Sequence, residues 1–233
     1  GISKGDNQGS EATIKYFLLS AFASCFFLLG VSYLYGFIGS TNLQVIQSGY
    51  SSGGRLVSFA LVLVMFGLAF RITAVPFHFY APDVFEGASL TLAGILSYLP
   101  KVAGFVALIR VLGTGLGTEA DAVVVPVLFV CAALTMLVGN FMASAQSSLR
   151  RLLAYSSVVH TGYLLLALTA LLRQNAEPNV LFSYLAAYAA MTLGFFVCFS
   201  EIEAAGGKTQ HIGDFSGMFY RRPAAATGRT VAL

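Results

Sequence analysis

The sequence predicts an all-α fold, a polytopic bundle of about six transmembrane helices. Three observations predict it. Hydrophobic residues make up 57% of the 233 positions, charged residues only 10%, and the apolar residues fall into continuous runs separated by polar stretches. A soluble domain carries about 25% charged residues. The mean hydropathy of +0.79 and the low charge also exclude a disordered chain. Glycine is abundant, at 24, but follows no Gly-X-Y period, which excludes collagen. The formal net charge of +3 comes without a dense basic cluster, so no nucleic-acid partner is expected. A β-barrel would alternate with period two, and these runs do not.

Crossing ~30 Å of hydrocarbon takes about 20 apolar residues at ~1.5 Å each. On that measure the spans run from about 12–36, 56–75, 88–112, 122–142, 152–172 and 180–200, in a single membrane domain over 1–233. The connections carry turn residues: Gly39, Ser40, Asn42 and Ser51 to Gly54 after the first span, Gly113 to Asp121 after the third, and Arg173 to Pro178 after the fifth. The stretch 201–233 reads as a polar loop and the start of a further helix. The first run is too long for the core of a secretory signal. Cys25, Cys131 and Cys198 lie far apart inside apolar runs, with no CxxC spacing, and read as thiols buried in lipid or core.

Orientation follows from Lys and Arg in the loops. An even number of passes puts both termini on one face. That face gathers Lys4, Lys15, Arg150, Arg151, Lys208, Arg221 and Arg222, against Arg55, Arg110 and Arg173 opposite. The termini are therefore expected on the cytoplasmic side, or the matrix side in a mitochondrion.

Ionisable residues inside spans cost roughly 2.5–3.5 kcal/mol each and point to function. Lys101 follows Pro100 about midway along the third span. Proline removes a helical hydrogen bond and frees the carbonyl four residues back, that of Leu96. Lys101 reads either as a proton carrier facing a hydrated cavity or as a cap on the broken helix; a desolvated lysine can release its proton. Arg71 sits toward the cytoplasmic end of the second span, five residues before Pro76. It holds a carboxylate or sets a field, but it carries no proton; snorkelling to the interface is the other reading. Lys15, early in the first span, either snorkels or pairs with a carboxylate on another helix. His160 lies midway along the fifth span among hydroxyls, including Ser156, Ser157 and Thr161. It is either a hydrogen-bonded core histidine or a proton relay.

The stretch from Pro76 to Gly87 sets aromatics between two prolines and ends in Asp83 and Glu86. It reads as a broken helix end with an aromatic belt at the interface and solvated carboxylates. No GxGxxG, P-loop, HExxH or paired Cys/His set occurs. No cofactor or metal is therefore expected in this chain, and its chemistry is ion movement.

These residues resemble a known family. Glu11–Leu19 (EATIKYFLL) with Ala21–Ser24, Gly67–Ala88 (GLAFRITAVPFHFYAPDVFEGA), Pro100–Phe105 (PKVAGF) and Arg151–Ser157 (RLLAYSS) with His160 and Gly162-Tyr163 follow one another in the same order as in that family. They resemble subunit N of the proton-pumping NADH–quinone oxidoreductases, respiratory complex I, one of its antiporter-like membrane subunits. Asp214–Gly217 with Arg222-Pro223 resembles the loop before the next helix. The resemblance implies inverted repeats, each with a broken helix near the membrane midplane, and protons passing along buried Lys, Glu and His. It implies Lys101 as the central lysine, Lys15 as a further lysine on the line and His160 as a relay. Arg71 stands where the family usually has the lysine of the broken helix.

The resemblance also implies a central fragment. The preceding helices, one bearing a partner glutamate, and the next lysine-bearing broken helix lie outside it; Thr227–Leu233 begins like that next helix, with Arg229 interrupting. The partners implied are protons, lipid and the other membrane subunits of complex I, in a bacterial inner or mitochondrial inner membrane. NADH, FMN, iron–sulfur clusters and quinone would belong to the rest of the complex. Two other readings stay open: a subunit of a multi-subunit cation/proton antiporter, and a non-pumping scaffold.

Overall fold

A computed structural model describes residues 7–50, 54–113, 118–174 and 178–204. Lys4, Lys208, Arg221, Arg222 and everything from 205 to 233 lie outside the described residues. The elements are α1 (Asn7–Ile38), α2 (Leu43–Gly49), α3 (Gly54–Arg71), α4 (Tyr80–Gly87), α5 (Leu90–Leu112), α6 (Thr118–Ser144), α7 (Leu149–Gln174) and α8 (Asn179–Ala204). Six of them, α1, α3, α5, α6, α7 and α8, are long and apolar enough to cross a membrane. No β-strand occurs among the described residues.

The bundle is built from three close pairs, α1 on α3, α6 on α7 and α5 on α8, with α4 wedged between α1 and α7. Its main core is the contact of α3, α5, α6 and α7 through Leu61, Leu68, Phe105, Leu108, Leu128 and Leu164. Phe17, Phe22, Phe129 and Phe141 point away from the bundle, the reverse of a soluble protein. Such helices gain no hydrophobic force from association in lipid, so close backbone approach matters more. At Gly162 a Cβ would stand 2.5 Å from Met136 Cγ, which is why α7 and α6 can pack as they do.

The helix α3 ends earlier than the expected boundary near 75. Its end is a Schellman turn: Thr73 N–H donates to Phe70 O (3.1 Å) and Ala74 N–H to Ala69 O (2.9 Å). The residue that takes the left-handed conformation there is Thr73, with φ of 59°. Glycine is usual at that position, and a β-branched residue is strained by roughly 1–3 kcal/mol. Neighbouring hydroxyls hold the turn. Thr161 Oγ1 of α7 donates to Ile72 O at 2.7 Å. Val75 N–H donates to Thr135 Oγ1 of α6 at 3.1 Å. Tyr80 OH reaches back to Phe70 O at 2.8 Å. Gly104 of α5 lets that helix touch the turn, since a Cβ there would lie 2.4 Å from Ile72 Cγ2.

Beyond the break the structure corrects the expectation of an interfacial belt. Residues 80–87 form a helix, α4, with Tyr80, Ala81, Pro82, Val84 and Phe85 buried. Pro82 is tolerated because it lies in the first turn, where its missing N–H is not needed. Of the aromatics only Phe79 is exposed. His78 is buried, and its Nδ1 has no hydrogen-bond partner among the described residues. Burial pushes its pKa down, against the opposing pull of the Pro76 backbone.

At the other end, α2 closes the bundle. Gln47 Nε2 donates to Arg110 O at 2.7 Å, and Tyr50 OH donates to Val111 O. Both take up carbonyls that the C-terminal turn of α5 leaves without a helical partner. Burial pushes the Tyr50 phenol up to about 12, so it stays neutral.

Two outcomes check the break. Thr161→Val keeps the shape of the side chain but removes its hydrogen bond, and should lower the thermal stability of the protein by about 1 kcal/mol. Gly104→Ala should cost ~1–3 kcal/mol by overpacking against Ile72. Combining it with Ile72→Ala should recover part of that loss in the same melting experiment, whereas additive losses would mean the two sites do not touch.

Candidate functional site

The site has an ionic end and a buried centre. At the ionic end, Asp83 and Glu86 lie three residues apart on α4 and so share one face. Asp83 Oδ2 accepts from Lys15 Nζ of α1 at 2.8 Å, and Glu11 Oε1 lies 2.7 Å from the same ammonium. Asp83 Oδ1 accepts from Arg151 Nη2 of α7 at 3.1 Å, and Glu86 Oε2 from Arg151 Nε at 2.6 Å. Arg150 Nη1 donates to the carbonyls of Glu86 and Ala88, at 3.3 and 3.1 Å. Glu11, Lys15, Asp83, Glu86 and Arg151 line a cavity of about 160 Å³. Of the two readings of Lys15, the structure has the pairing with a carboxylate on another helix. The carboxylates of the 76–87 stretch are paired rather than simply solvated.

At the centre, Lys101 is 1% exposed. Its Nζ donates to Ser157 O, to Ser157 Oγ (2.6 Å) and to Tyr188 OH (3.3 Å). It also stands 4.8 Å from the centre of the Tyr188 ring. Tyr188 OH in turn donates to Ser157 Oγ at 3.1 Å. No carboxylate pairs with Lys101 among the described residues. Burying an ammonium without a counter-charge is costly, and hydrogen bonds alone offset only part of it. His160 lies close by: its Nδ1 is 2.7 Å from Tyr184 OH, and its ring is 5.0 Å from that of Tyr188.

Two further cavities flank this centre. One, of about 170 Å³, is lined by His160, Ser156, Ser157, Tyr188 and Thr192 with an apolar wall of α4 and α8. The other, of about 140 Å³, is lined by Arg71, Thr73, Tyr80, Pro100 and Ser157, with Tyr16 at its rim. Both have room for several waters and polar groups to hold them. Arg71 has no hydrogen bond or ion pair to another described residue and stands exposed at the end of α3. Its charge is still felt by Tyr80, whose pKa burial and then Tyr16 push up and Arg71 pulls down.

The four residues expected from sequence are thus set along the molecule, and none touches another directly. Lys101 and His160 share one centre through Ser157 and the tyrosines; Arg71 faces the second cavity; Lys15 belongs to the ionic end. Sequence reasoning passed over Asp83 as the partner of Lys15, Glu86 and Arg151 as the rest of that ionic cluster, and Ser157, Tyr184 and Tyr188 as ligands of the central groups. The spacing of 83 and 86 was a readable signal. The tyrosines lie in an apolar run that carries none.

The family described as "NADH:quinone oxidoreductase/Mrp antiporter, TM" matches residues 1–233. The chain is 39% identical over 238 residues to NADH-quinone oxidoreductase subunit N 1 of Solibacter usitatus, covering 100% of this chain and 48% of that protein. Among solved structures it is similar to a chain of respiratory complex I from Thermus thermophilus, with a TM-score of 0.79, 34% identity, and 97% and 47% of the two chains covered. It also resembles a chain of the archaeal membrane-bound sulfane sulfur reductase, with a TM-score of 0.87, 25% identity, and 98% and 46% covered. The chain spans about half the length of the curated relatives it matches. As expected from composition, it is an integral helical membrane protein, and as the resemblance implied its fold is antiporter-like.

Among the described residues Asp83 is the carboxylate that pairs with both Lys15 and Arg151. Asp83→Asn should therefore raise amide hydrogen exchange across Tyr80–Gly87 and leave exchange in α2, at the opposite end, unchanged. Unchanged exchange in α4 would mean that the ion pairs do not hold this helix.

Proposed function

The chain belongs to the NADH:quinone oxidoreductase/Mrp antiporter transmembrane family, and on that premise we propose that it translocates protons as part of a membrane subunit of an NADH–quinone oxidoreductase. The single observation that carries the reading is Lys101. It is an ammonium 1% exposed, held by hydroxyl and carbonyl oxygens of Ser157 and by the hydroxyl of Tyr188, and its partner Ser157 lines two water-sized cavities. Such a group can take a proton from one cavity and release it to the other.

In this reading His160 receives the proton through the waters of its cavity, with Tyr184 orienting its ring. Arg71 keeps its proton at all times. It acts as a fixed positive charge that disfavours a second cation nearby and so biases when Lys101 is charged. Lys15, bridged to α4 by Asp83, stands at the mouth on the side where Arg150 and Arg151 lie. That side is cytoplasmic, or the matrix in a mitochondrion, by the excess of cations. The energy comes from quinone reduction elsewhere in the complex, passed on by neighbouring membrane subunits, and the reading places no redox chemistry in this chain.

Relatives named as NADH-quinone oxidoreductase subunit N favour this reading over an antiporter subunit. The Mrp complex of Dietzia shares the fold, with a TM-score of 0.83 at 24% identity. Sodium-dependent exchange without NADH would support that alternative. Unchanged pumping after neutralising Arg71, Lys101 and His160 together would support a scaffold.

The test is Lys101→Ala in the complete subunit of the assembled complex, reconstituted in liposomes. A positioned proton-transfer group is worth about 10²–10⁴-fold in rate. The proton-to-electron ratio should fall while NADH oxidation persists, and Lys101→Arg, which cannot release a proton, should fail alike. An unchanged ratio in Lys101→Ala overturns the carrier role.

A further inference from the structure

The cavity beside Arg71 and the cavity beside His160 share two lining residues, Ser157 and Phe85. Ser157 is the polar one and is in contact with Lys101. Phe85 is the apolar one, 5% exposed, its ring 6.2 Å from that of Phe196 in a cluster with Ala81, Leu90 and Ala93. We propose that Phe85 is the apolar partition between the two hydrated cavities, set in place by the ion pairs of α4, so that a proton crosses only by way of Ser157 and Lys101. The proposal rests on the proton-path reading above and adds to it a gating residue that touches no proton.

A proton moves rapidly along an unbroken file of water, and an apolar constriction interrupts such a file by dewetting. A path that does work needs that interruption, because water running past Lys101 would let protons back without passing the group that controls them. Phe85 stands where the interruption is needed. The polar alternative at the same boundary is the Ser157 hydroxyl, already engaged with Lys101 and Tyr188.

The helix that carries the ring also explains how it is placed. With only eight residues, α4 is too short to be stable alone, so its position is fixed by its contacts. Asp83, two positions before Phe85, points to the other side of the helix at about 100° per residue. Its bonds to Lys15 and Arg151, with that of Glu86 to Arg151, tie this face to α1 and α7. Rotation of α4 would break these pairs and swing the ring out of the boundary. The ion pairs and the partition are therefore opposite faces of one two-turn element.

The experiment measures passive proton conductance of the assembled complex in liposomes, without NADH, under an imposed membrane potential and with a pH-sensitive dye inside. Phe85→Ala should raise the conductance several-fold over the native complex, while NADH oxidation and the amount of assembled complex stay native. Phe85→Leu, which keeps an apolar side chain at the boundary, should restore tightness. Asp83→Asn combined with Glu86→Gln should leak with Phe85 intact.

Should Phe85→Ala fail to assemble, Phe85→Val makes the same opening more gently and should leak to a lesser degree. An assembled Phe85→Ala or Phe85→Val complex as tight as the native one overturns the partition. A tight Asp83→Asn/Glu86→Gln complex overturns its placement by the ion pairs. The leak is read without turnover, so it is separable from the carrier test. A leaking Phe85→Ala beside a Lys101→Ala complex that pumps normally would sink the carrier role and leave the barrier at Phe85 standing.

Discussion

A polypeptide broken inside an apolar bundle must find partners for its amides and carbonyls within the protein, because lipid offers none. Everything distinctive here follows from how that demand is met after Arg71. The Schellman turn satisfies Ala69 and Phe70 from within the chain. Thr161 and Thr135 of two other helices take up Ile72 O and Val75 N–H, and Tyr80 OH adds a second bond to Phe70 O. The cost is a threonine in a conformation that suits glycine. What the break gains is position: it leaves Arg71 lining a cavity, turns the chain, and wedges a two-turn helix between α1 and α7.

The centre obeys a related constraint. Lys101 sits on a helix that Gly104 allows to press against the break, so the same close approach that stabilises the turn brings the lysine beside α7. There it meets oxygens but no carboxylate. The ionic end is the opposite case, with three carboxylates and two cations in mutual contact. Charge is compensated by charge at the ionic end and only by neutral oxygens, among the described residues, at the centre. The protein keeps the two at different depths and joins them through α4.

The fold was largely legible in the sequence, because span length and apolar content are set directly by the thickness of a bilayer. The lone ionisable residues were legible for the same reason, each being costly where it stands. The second span was read as running to about 75, and it ends at Arg71 because Thr73 adopts a turn that propensity assigns to glycine. The stretch 76–87 was read as interfacial because its aromatics and charges look like a belt. Its burial depends on contacts with α1 and α7, more than 60 residues away in sequence. For Lys15 the sequence left snorkelling and pairing open, and only the placement of Asp83 decides between them. Ser157 was visible only as one of several hydroxyls near His160, and Tyr184 and Tyr188 carry no signal at all, since a hydroxyl in an apolar helix acquires its role from whichever helix packs beside it.

The two ends of the bundle are closed by different forces. At the α2 end, Gln47 and a neutral Tyr50 grip the carbonyls of Arg110 and Val111. At the α4 end the grip is between charges that remain partly open to solvent. Charged contacts of that kind weaken as dissolved ions accumulate around them, over a Debye length that shrinks from about 30 Å at 0.01 M to about 10 Å at 0.1 M salt. Neutral hydrogen bonds do not weaken in this way. Among the described residues, ionic strength and the anionic headgroups of the surrounding lipid therefore act on the contacts of the α4 mouth and leave those of the α2 mouth as they were, so the two faces of the bundle answer differently to the aqueous phases they meet.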